Sequence, residues 1–402
     1  MSSQQLKILM FNHEFPPIGG GGGQVSYFLG KHFAAAGHDI HLITSQFREC
    51  ARREIVDGIH VHRVRALRKS PNVCAVHEML TYAMSSSLYG LKFAKHFNPD
   101  IVQVFFGIPA GGGAYLLQKR RNIPYTIFLG GRDVPRPDPD PSYYRWLYLL
   151  LKPIIRAIWD NAAAVVSCSD GLRDLAHETD LTLNIAVIPD GVDLETFAPT
   201  QRKAHPDTVR CLAIGRLIPR KGFQFLIRAL PKILDKVSHN FALEIVGDGP
   251  YKNELVELAE SHGVSSYIHF AGTVPYSAIP QQTTTDEVLL PQKYREADIF
   301  ILPSLAEGMP LVVLEAMGTG LPIIASRVQG IAELVEENVN GAVFDPGDVD
   351  ELAECLIKLI NAGEKRIEMG NASIKKVKPY DWKNIADAYL KLYEDVLSDR
   401  RN

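Results

Sequence analysis

Short apolar runs, many of them β-branched, alternate along almost the whole chain with longer segments in which apolar residues recur every three or four positions. In the first half the runs are KILMF, HDIHLIT, IHVHRV, DIVQVFF, PYTIFL, AAVVSCS and IAVIPDG. After Pro199 the pattern restarts with VRCLAIG, FALEIVG, YIHFAG, DIFILPS and LPIIAS. Runs of this kind read as buried strands and the segments between them as helices, so the alternation predicts βαβ units and parallel sheets covered on both faces. The expected fold class is α/β, with two doubly wound domains joined near DGVDLETFAP (190–199). The boundaries read from the pattern are 1–192 and 193–380. A closing helix within 381–402 is expected to pack back onto the first domain, with Ile385, Ala388, Tyr389, Leu392 and Val396 at helical spacing. Ligands of such sheets bind beyond the carboxyl ends of the strands, so a cleft between the domains is the expected site.

Two stretches break the rhythm. DVPRPDPDPSYY (133–144) is too rich in proline for a helix or strand and reads as an exposed loop. YSAIPQQTTTDEVLLPQ (276–292) is polar and bracketed by prolines, and reads as a loop or lid beside the site.

Composition narrows the class. The 402 residues exceed one ordinary core, and 46% hydrophobic with 22% charged residues is the balance of a water-soluble protein. A formal net charge of −3 argues against bulk nucleic-acid binding, which would show a basic footprint. The five cysteines (Cys50, Cys74, Cys168, Cys211 and Cys355) include no CxxC pair, which points to a reducing cytoplasm and away from disulfides or structural zinc. The opening MSSQQLKILMF shows no charged leader or cleavage site, and no uncharged apolar run reaches the roughly 18 residues of a membrane span. The expectation is a cytoplasmic protein, with the inner face of the membrane as one location. Arg48, Arg52, Arg53, Arg63, Arg65, Arg68 and Lys69 could form a basic patch toward an anionic membrane or a phosphate-bearing acceptor, followed by the aromatic and cationic segment YRWLYLLLKPIIRAIW (144–159). A solvated face plus a core helix accounts for the same residues.

The chemistry concentrates in AEGMPLVVLEAMGTG (306–320), where Glu307 and Glu315 stand eight positions apart around an apolar run. Burying an unpaired carboxylate costs several kcal/mol or more, so each needs solvent or a partner. Pro310 suits the first position of a helix and Gly308 a tight approach before it. Helix-start N–H groups favour an anion such as phosphate, whereas carboxylates suit sugar hydroxyls. Together they describe a ligand with hydroxyls at both ends and phosphate between, although a buried helix with two solvated glutamates fits the spacing as well. In GRLIPRKG (215–222), Arg216 and Lys221 follow a strand and could neutralise a departing diphosphate. FPPIGGGGGQV (15–25) places glycines between the first strand and first helix, where backbone N–H groups can crowd an oxyanion. It is neither a GxxxxGK[ST] loop nor a GxGxxG fingerprint with its acidic partner. Asp138-Pro139-Asp140 mimics a metal-binding D-x-D but sits in a proline loop, and His60, His62 and His77 lack HExxH spacing, so no metal is expected.

AEGMPLVVLEAMGTGLPIIAS resembles the E-x7-E region of the family 4 retaining glycosyltransferases, whose fold is GT-B. The likeness runs on through AIGRLIPRKGFQFLIRAL, LEIVGDGP, YREADIFILPS and VIPDGVD, in order and over nearly the whole chain. The resemblance implies two Rossmann-like domains, an acceptor-binding one before a nucleotide-sugar-binding one. It implies a donor held by Glu307 with Gly308, Met309, Pro310, Leu311 and Val312, by Glu315 at the ribose, by Arg216 and Lys221 at the diphosphate, and by Gly247. Arg216, Lys221 and Glu307 would carry catalysis, and Gly20, Gly21, Gly22 and Gly23 would touch donor phosphate and acceptor. Family members often carry His-Gly-x-Asp after a first-domain strand; here the segment is IFLGGRDVP, with Gly130 in the histidine place and Asp133 retained, both expected near the acceptor. The implied activity is metal-independent, retaining transfer of a sugar from a nucleotide diphosphate to a glycan or lipid-linked hydroxyl, with no cofactor. Two rivals stay open: a catalytically silent sugar-nucleotide-binding protein, and a Rossmann-type NAD oxidoreductase.

Overall fold

The computed structural model describes residues 5–400, apart from 49, 72–73, 131–133, 135–141, 201–207, 238–239 and 277–288. The chain forms two compact units, residues 1–190 with 382–402, and residues 191–381.

The first unit runs β1 (Lys7–Phe11), α1 (Gly21–Ala35), β2 (Asp39–Ser45), β3 (Arg53–Val56), β4 (Ile59–Val64), α2 (Val76–Phe97), β5 (Ile101–Phe105), α3 (Gly107–Arg121), β6 (Tyr125–Leu129), α4 (Ser142–Asp160), β7 (Ala164–Ser167), α5 (Asp170–His177) and β8 (Ile185–Val187). Its sheet has the order β3-β4-β2-β1-β5-β6-β7-β8, parallel except at the β3–β4 edge. The strands are near-continuous apolar runs because helices cover both faces. Every residue of β5 and β6 is buried.

The second unit runs β9 (Thr208–Ile214), α6 (Phe223–Leu234), β10 (Asn240–Val246), α7 (Lys252–Ser261), β11 (Ile268–Gly272), α8 (Leu290–Glu296), β12 (Ile299–Leu302), α9 (Leu311–Gly318), β13 (Ile323–Ser326), β14 (Gly341–Phe344), α10 (Val349–Ile360) and α11 (Gly363–Val377). All six strands pair in parallel, in the order β11-β10-β9-β12-β13-β14. Strand order reverses between β9 and β12, so the loops leaving these two strands flank the switch point where doubly wound sheets bind ligands.

The final helix, α12 (Trp382–Asp399), belongs to the first unit. Trp382 stacks on Phe28 of α1, with ring centroids 5.4 Å apart, and the Tyr393 hydroxyl donates to Gln103 of β5 at 2.7 Å. Its buried face is Trp382, Ile385, Ala386, Tyr389, Tyr393 and Val396. Ala388 is exposed and Leu392 half-buried, so the face read from the sequence is rotated by part of a turn.

The structure corrects several other readings. β3 and β14 are short strands that the apolar pattern missed. β3 is an edge strand carrying charge, and β14 has only four residues. The expected loop 133–144 gives way to α4 from Ser142, while 135–141, including Asp138 and Asp140, lie outside the described residues. Of 276–292, residues 277–288 lie outside the described residues, and 290–292 open α8 rather than belonging to a loop. The basic patch is smaller than its seven cations. Arg63 is buried, bonded to Glu54 at 2.7 Å and to the Pro16 carbonyl at 3.0 Å. Arg68 is buried and donates to the carbonyls of Ser70 and Pro71. These two arginines are structural. Along α4, Trp146 (74% exposed), Leu149, Leu150 (76%) and Ile154 face outward while Ile155, Ile158 and Trp159 are buried.

Candidate active site

The two loops at the switch point of the second sheet bring together the residues that spacing alone could not. β9 ends at Ile214 and the chain turns through Gly215 and Arg216 into a single 3-10 turn, Pro219–Lys221. Gly222 then adopts φ 73° and caps α6. A Cβ at Gly222 would lie 1.7 Å from the Pro303 carbonyl oxygen, so both the conformation and the contact with the loop after β12 require glycine. The two loops are tied by main-chain bonding: the Leu305 N–H donates to the Arg220 carbonyl at 2.8 Å. The Arg220 guanidinium returns a bond to the Ala306 carbonyl at 3.2 Å.

This close apposition places Lys221 against Glu307. Lys221 Nζ is 2.6 Å from Glu307 Oε1, and both side chains are largely withdrawn from solvent, Glu307 being 7% exposed overall. Burial opposes the Glu307 charge, but the Lys221 ammonium and the Arg220 guanidinium outweigh it and hold the carboxyl below its ordinary value. Burial likewise draws the Lys221 ammonium down, against the opposing pull of Glu307, with Arg220 and Arg216 adding positive charge around it. Glu307 is therefore an ionised carboxylate beside Lys221 and Arg220, with Arg216 as a third cation acting on Lys221. Of these, sequence reading named Arg216 and Lys221; Arg220 was missed, though it lies between them in the same PRK turn.

Glu315 has a different setting. It lies in α9, the helix that starts at Leu311 after Pro310, one residue later than the proline suggested. It is 3% exposed. The Tyr294 hydroxyl donates to Glu315 Oε2 at 2.6 Å, and the Tyr276 hydroxyl is a second donor. Burial pushes this carboxyl up to about 7, the two tyrosine bonds opposing it. Both glutamates are thus buried with partners, and the alternative of two solvated carboxylates is overturned. No spacing signal announced Tyr294 or Tyr276, which precede Glu315 on other elements.

Gly308 and Val312 are half-buried, while Met309, Pro310 and Leu311 are buried around the start of α9. Gly247 has φ 137°, and a Cβ there would lie 2.0 Å from the Gly215 carbonyl oxygen, so this glycine lets β10 and β9 exit side by side. In the first unit, Gly20 is the cap of α1, and Gly21, Gly22 and Gly23 form its first turn. The Gly20 N–H donates to Glu14 Oε2 at 3.1 Å, an acidic partner that the sequence did not reveal. Gly22 and Gly130 answer to one ring: Cβ atoms built on them would meet Phe106 at 2.2 and 2.3 Å. Phe106 has φ 69°, unusual for a residue with a side chain, and turns its ring into this space. A histidine at Gly130 would collide with it. Asp133 lies outside the described residues.

Known proteins resemble the chain across both units. A model described as "Glycosyl transferases group 1" matches residues 208–362, and one described as "Glycosyl transferase 4-like domain" matches residues 20–191. The chain is 28% identical over 386 residues to the GDP-mannose-dependent alpha-(1-6)-phosphatidylinositol monomannoside mannosyltransferase of Mycobacterium tuberculosis, covering 91% of this chain and 92% of that one. It is 28% identical over 399 residues to the N-acetyl-alpha-D-glucosaminyl L-malate synthase of Bacillus anthracis, covering 96% and 97%. Among solved structures, sucrose-phosphate synthase from Thermosynechococcus elongatus superposes with a TM-score of 0.83 at 18% identity, covering 98% of this chain and 100% of that one. HepE of Anabaena in complex with UDP and glucose gives 0.75, also at 18% identity, over 97% and 100%. Two doubly wound units with these structural likenesses make the fold GT-B. The chain belongs to the family 4 glycosyltransferases, and its activity is glycosyl transfer.

Proposed function

We propose that the protein transfers a sugar, with retention, from a nucleoside diphosphate donor to a hydroxyl of a glycan or lipid-linked acceptor, without a metal ion. The observation that carries this reading is the buried Lys221–Glu307 pair with Arg216 and Arg220 around it. In transfer, the bond from the anomeric carbon to the diphosphate breaks and a bond to the acceptor oxygen forms, while the acceptor proton passes to a phosphate oxygen. Charge grows on the departing diphosphate, and preplaced cations stabilise it most at the transition state. Arg216, Lys221 and Arg220 supply three such charges, which is the work a metal ion would otherwise do. Glu307, held ionised, accepts hydrogen bonds from donor-sugar hydroxyls. Glu315 is assigned to the ribose hydroxyls, the tyrosines giving way or sharing its lone pairs.

Relatives named for GDP-mannose and a neighbour holding UDP and glucose support a sugar nucleotide as donor. The outward Trp146, Leu149, Leu150 and Ile154 of α4 support peripheral association with a membrane face, where a lipid-linked acceptor would lie.

A thermal-shift panel of UDP-, GDP-, ADP- and CDP-sugars tests the donor, because a ligand of the native state raises the midpoint. At least one should do so and release nucleoside diphosphate when an acceptor is supplied. Stabilisation by NAD alone would overturn the reading, and binding with neither transfer nor donor hydrolysis would make the protein a silent binder.

A further inference from the structure

A second cluster of ionisable side chains lies on the sheet of the first unit. β2 and β4 pair in parallel with His41 opposite His60 and Ile43 opposite His62. Side chains alternate along a strand, so Asp39 and His41 of β2 share one face of the sheet with His60 and His62 of β4. On that face His41 Nε2 is 3.2 Å from Asp39 Oδ1. The His41 and His60 rings stack with centroids 4.5 Å apart. One donor atom from each of Asp39, His41 and His60 lies within 4.8 Å of the others, and all three residues are half-buried, open enough to admit an ion. Behind them His41 Nδ1 is 2.8 Å from His62 Nε2, and His62 Nδ1 is 3.0 Å from the Tyr89 hydroxyl of α2. Phe93 and Phe97 of α2 pack against the His41 ring.

We propose that Asp39, His41 and His60 bind one transition-metal ion of the zinc class, with a fourth position left to water. Two imidazoles and a carboxylate suit Zn²⁺, Co²⁺ or Ni²⁺, whereas Mg²⁺ and Ca²⁺ prefer all-oxygen sets. Bonds of about 2.0–2.1 Å in a tetrahedron put neighbouring ligand atoms roughly 3.4 Å apart, so side-chain rotation closes the site without moving the paired strands. The groups behind it fit the role. A metal on His41 Nε2 requires the proton on Nδ1, where it donates to His62 Nε2; His62 then carries its own proton on Nδ1 and donates to Tyr89. One chain of hydrogen bonds thus fixes both tautomers, as outer partners of metal-ligating histidines do. The ligands belong to the first unit and the donor-binding residues to the second, so metal loading and sugar transfer can be measured separately. The pair sits 19 positions apart in the sequence, which is why spacing rules of the HExxH kind pass over it.

Full-length protein stripped with a chelator should take up one Co²⁺ per chain with tetrahedral visible absorption bands, and Zn²⁺ should displace it and raise the melting midpoint. His60→Gln and Asp39→Asn, at half-exposed positions, should each weaken Zn²⁺ binding by at least about 10-fold, and Tyr89→Phe by about 10-fold through the histidine chain. Circular dichroism of each variant reports folding. Absence of binding by the wild type, or uptake by folded His60→Gln and Asp39→Asn with wild-type affinity, would overturn the proposal.

Discussion

Glu307 and Glu315 are the same residue type, eight positions apart in one apolar segment and almost equally buried, yet they carry different charge. Glu307 faces Lys221 at 2.6 Å and is held ionised. Glu315 faces neutral tyrosine hydroxyls and is pushed up to about 7, between charged and neutral at physiological pH. The difference teaches that burial sets the cost and the partner decides the outcome: a cation offsets desolvation, and two neutral donors only reduce it. The loop ahead of α9 therefore presents an ionised carboxylate beside cations, and the helix itself a carboxyl whose charge follows its surroundings.

The largest effect should come from removing the cation. Lys221→Met leaves Glu307 buried without its partner, and breaking a buried pair costs about 3–5 kcal/mol. Urea unfolding should register that loss, and kcat should fall by about 10²–10³, as when one transition-state charge contact is deleted. Unchanged kcat in a folded Lys221→Met protein would dissolve the contrast between the two glutamates.

Next comes pH, where the two should run in opposite directions. Glu307, lowered in the fold, stabilises at pH above the ordinary glutamate value of 4.5 and loses that contribution as pH falls through its lower folded value. Glu315 behaves oppositely. Its folded value of about 7 exceeds 4.5, so the fold binds the proton more tightly, and its contribution is full below about 4.5 and lost as pH rises toward 7. The loss is on the order of 3 kcal/mol across that window. Glu315→Gln, which keeps an acceptor for the tyrosines, should flatten stability between pH 4.5 and 7 and leave the variant more stable than wild type at pH 8. Parallel stability profiles for variant and wild type would show that Glu315 is not charged at a cost.

The smallest expected effect is that of Tyr294→Phe, which removes one hydrogen bond at a cost of about 1 kcal/mol and lets the Glu315 carboxyl rise further. Nuclear magnetic resonance titration of the Glu315 side chain should record an upward move, and no move would leave Tyr294 without a role in setting that charge.

How far the sequence reached follows from the same physics. Strands such as KILMF and DIFILPS were legible because a parallel strand buried on both faces is a bare apolar run. β3 was not, since an edge strand reading REIV carries no such run. Lys221 and Glu307 were legible as chemistry, but their 2.6 Å contact depends on the close approach of Gly222 to Pro303, which no local pattern announces. Tyr294 and Phe106 were invisible for a related reason. Each acts on a residue that only the fold brings near, Glu315 in one case and Gly22 with Gly130 in the other. The two glutamates could be flagged from the sequence; which groups partner each of them could not.

The most direct test of the central claim compares two ligands on two variants. Dissociation constants for a sugar nucleotide and for its bare nucleoside diphosphate would be measured by calorimetry on wild type, Glu307→Gln and Lys221→Met. If Glu307 grips the sugar and Lys221 the diphosphate, Glu307→Gln should weaken only the sugar nucleotide, by about 10- to 100-fold, the worth of a hydrogen bond to a charged group. Lys221→Met should weaken both ligands. Equal weakening of both ligands by Glu307→Gln, or of neither by Lys221→Met, would contradict the account.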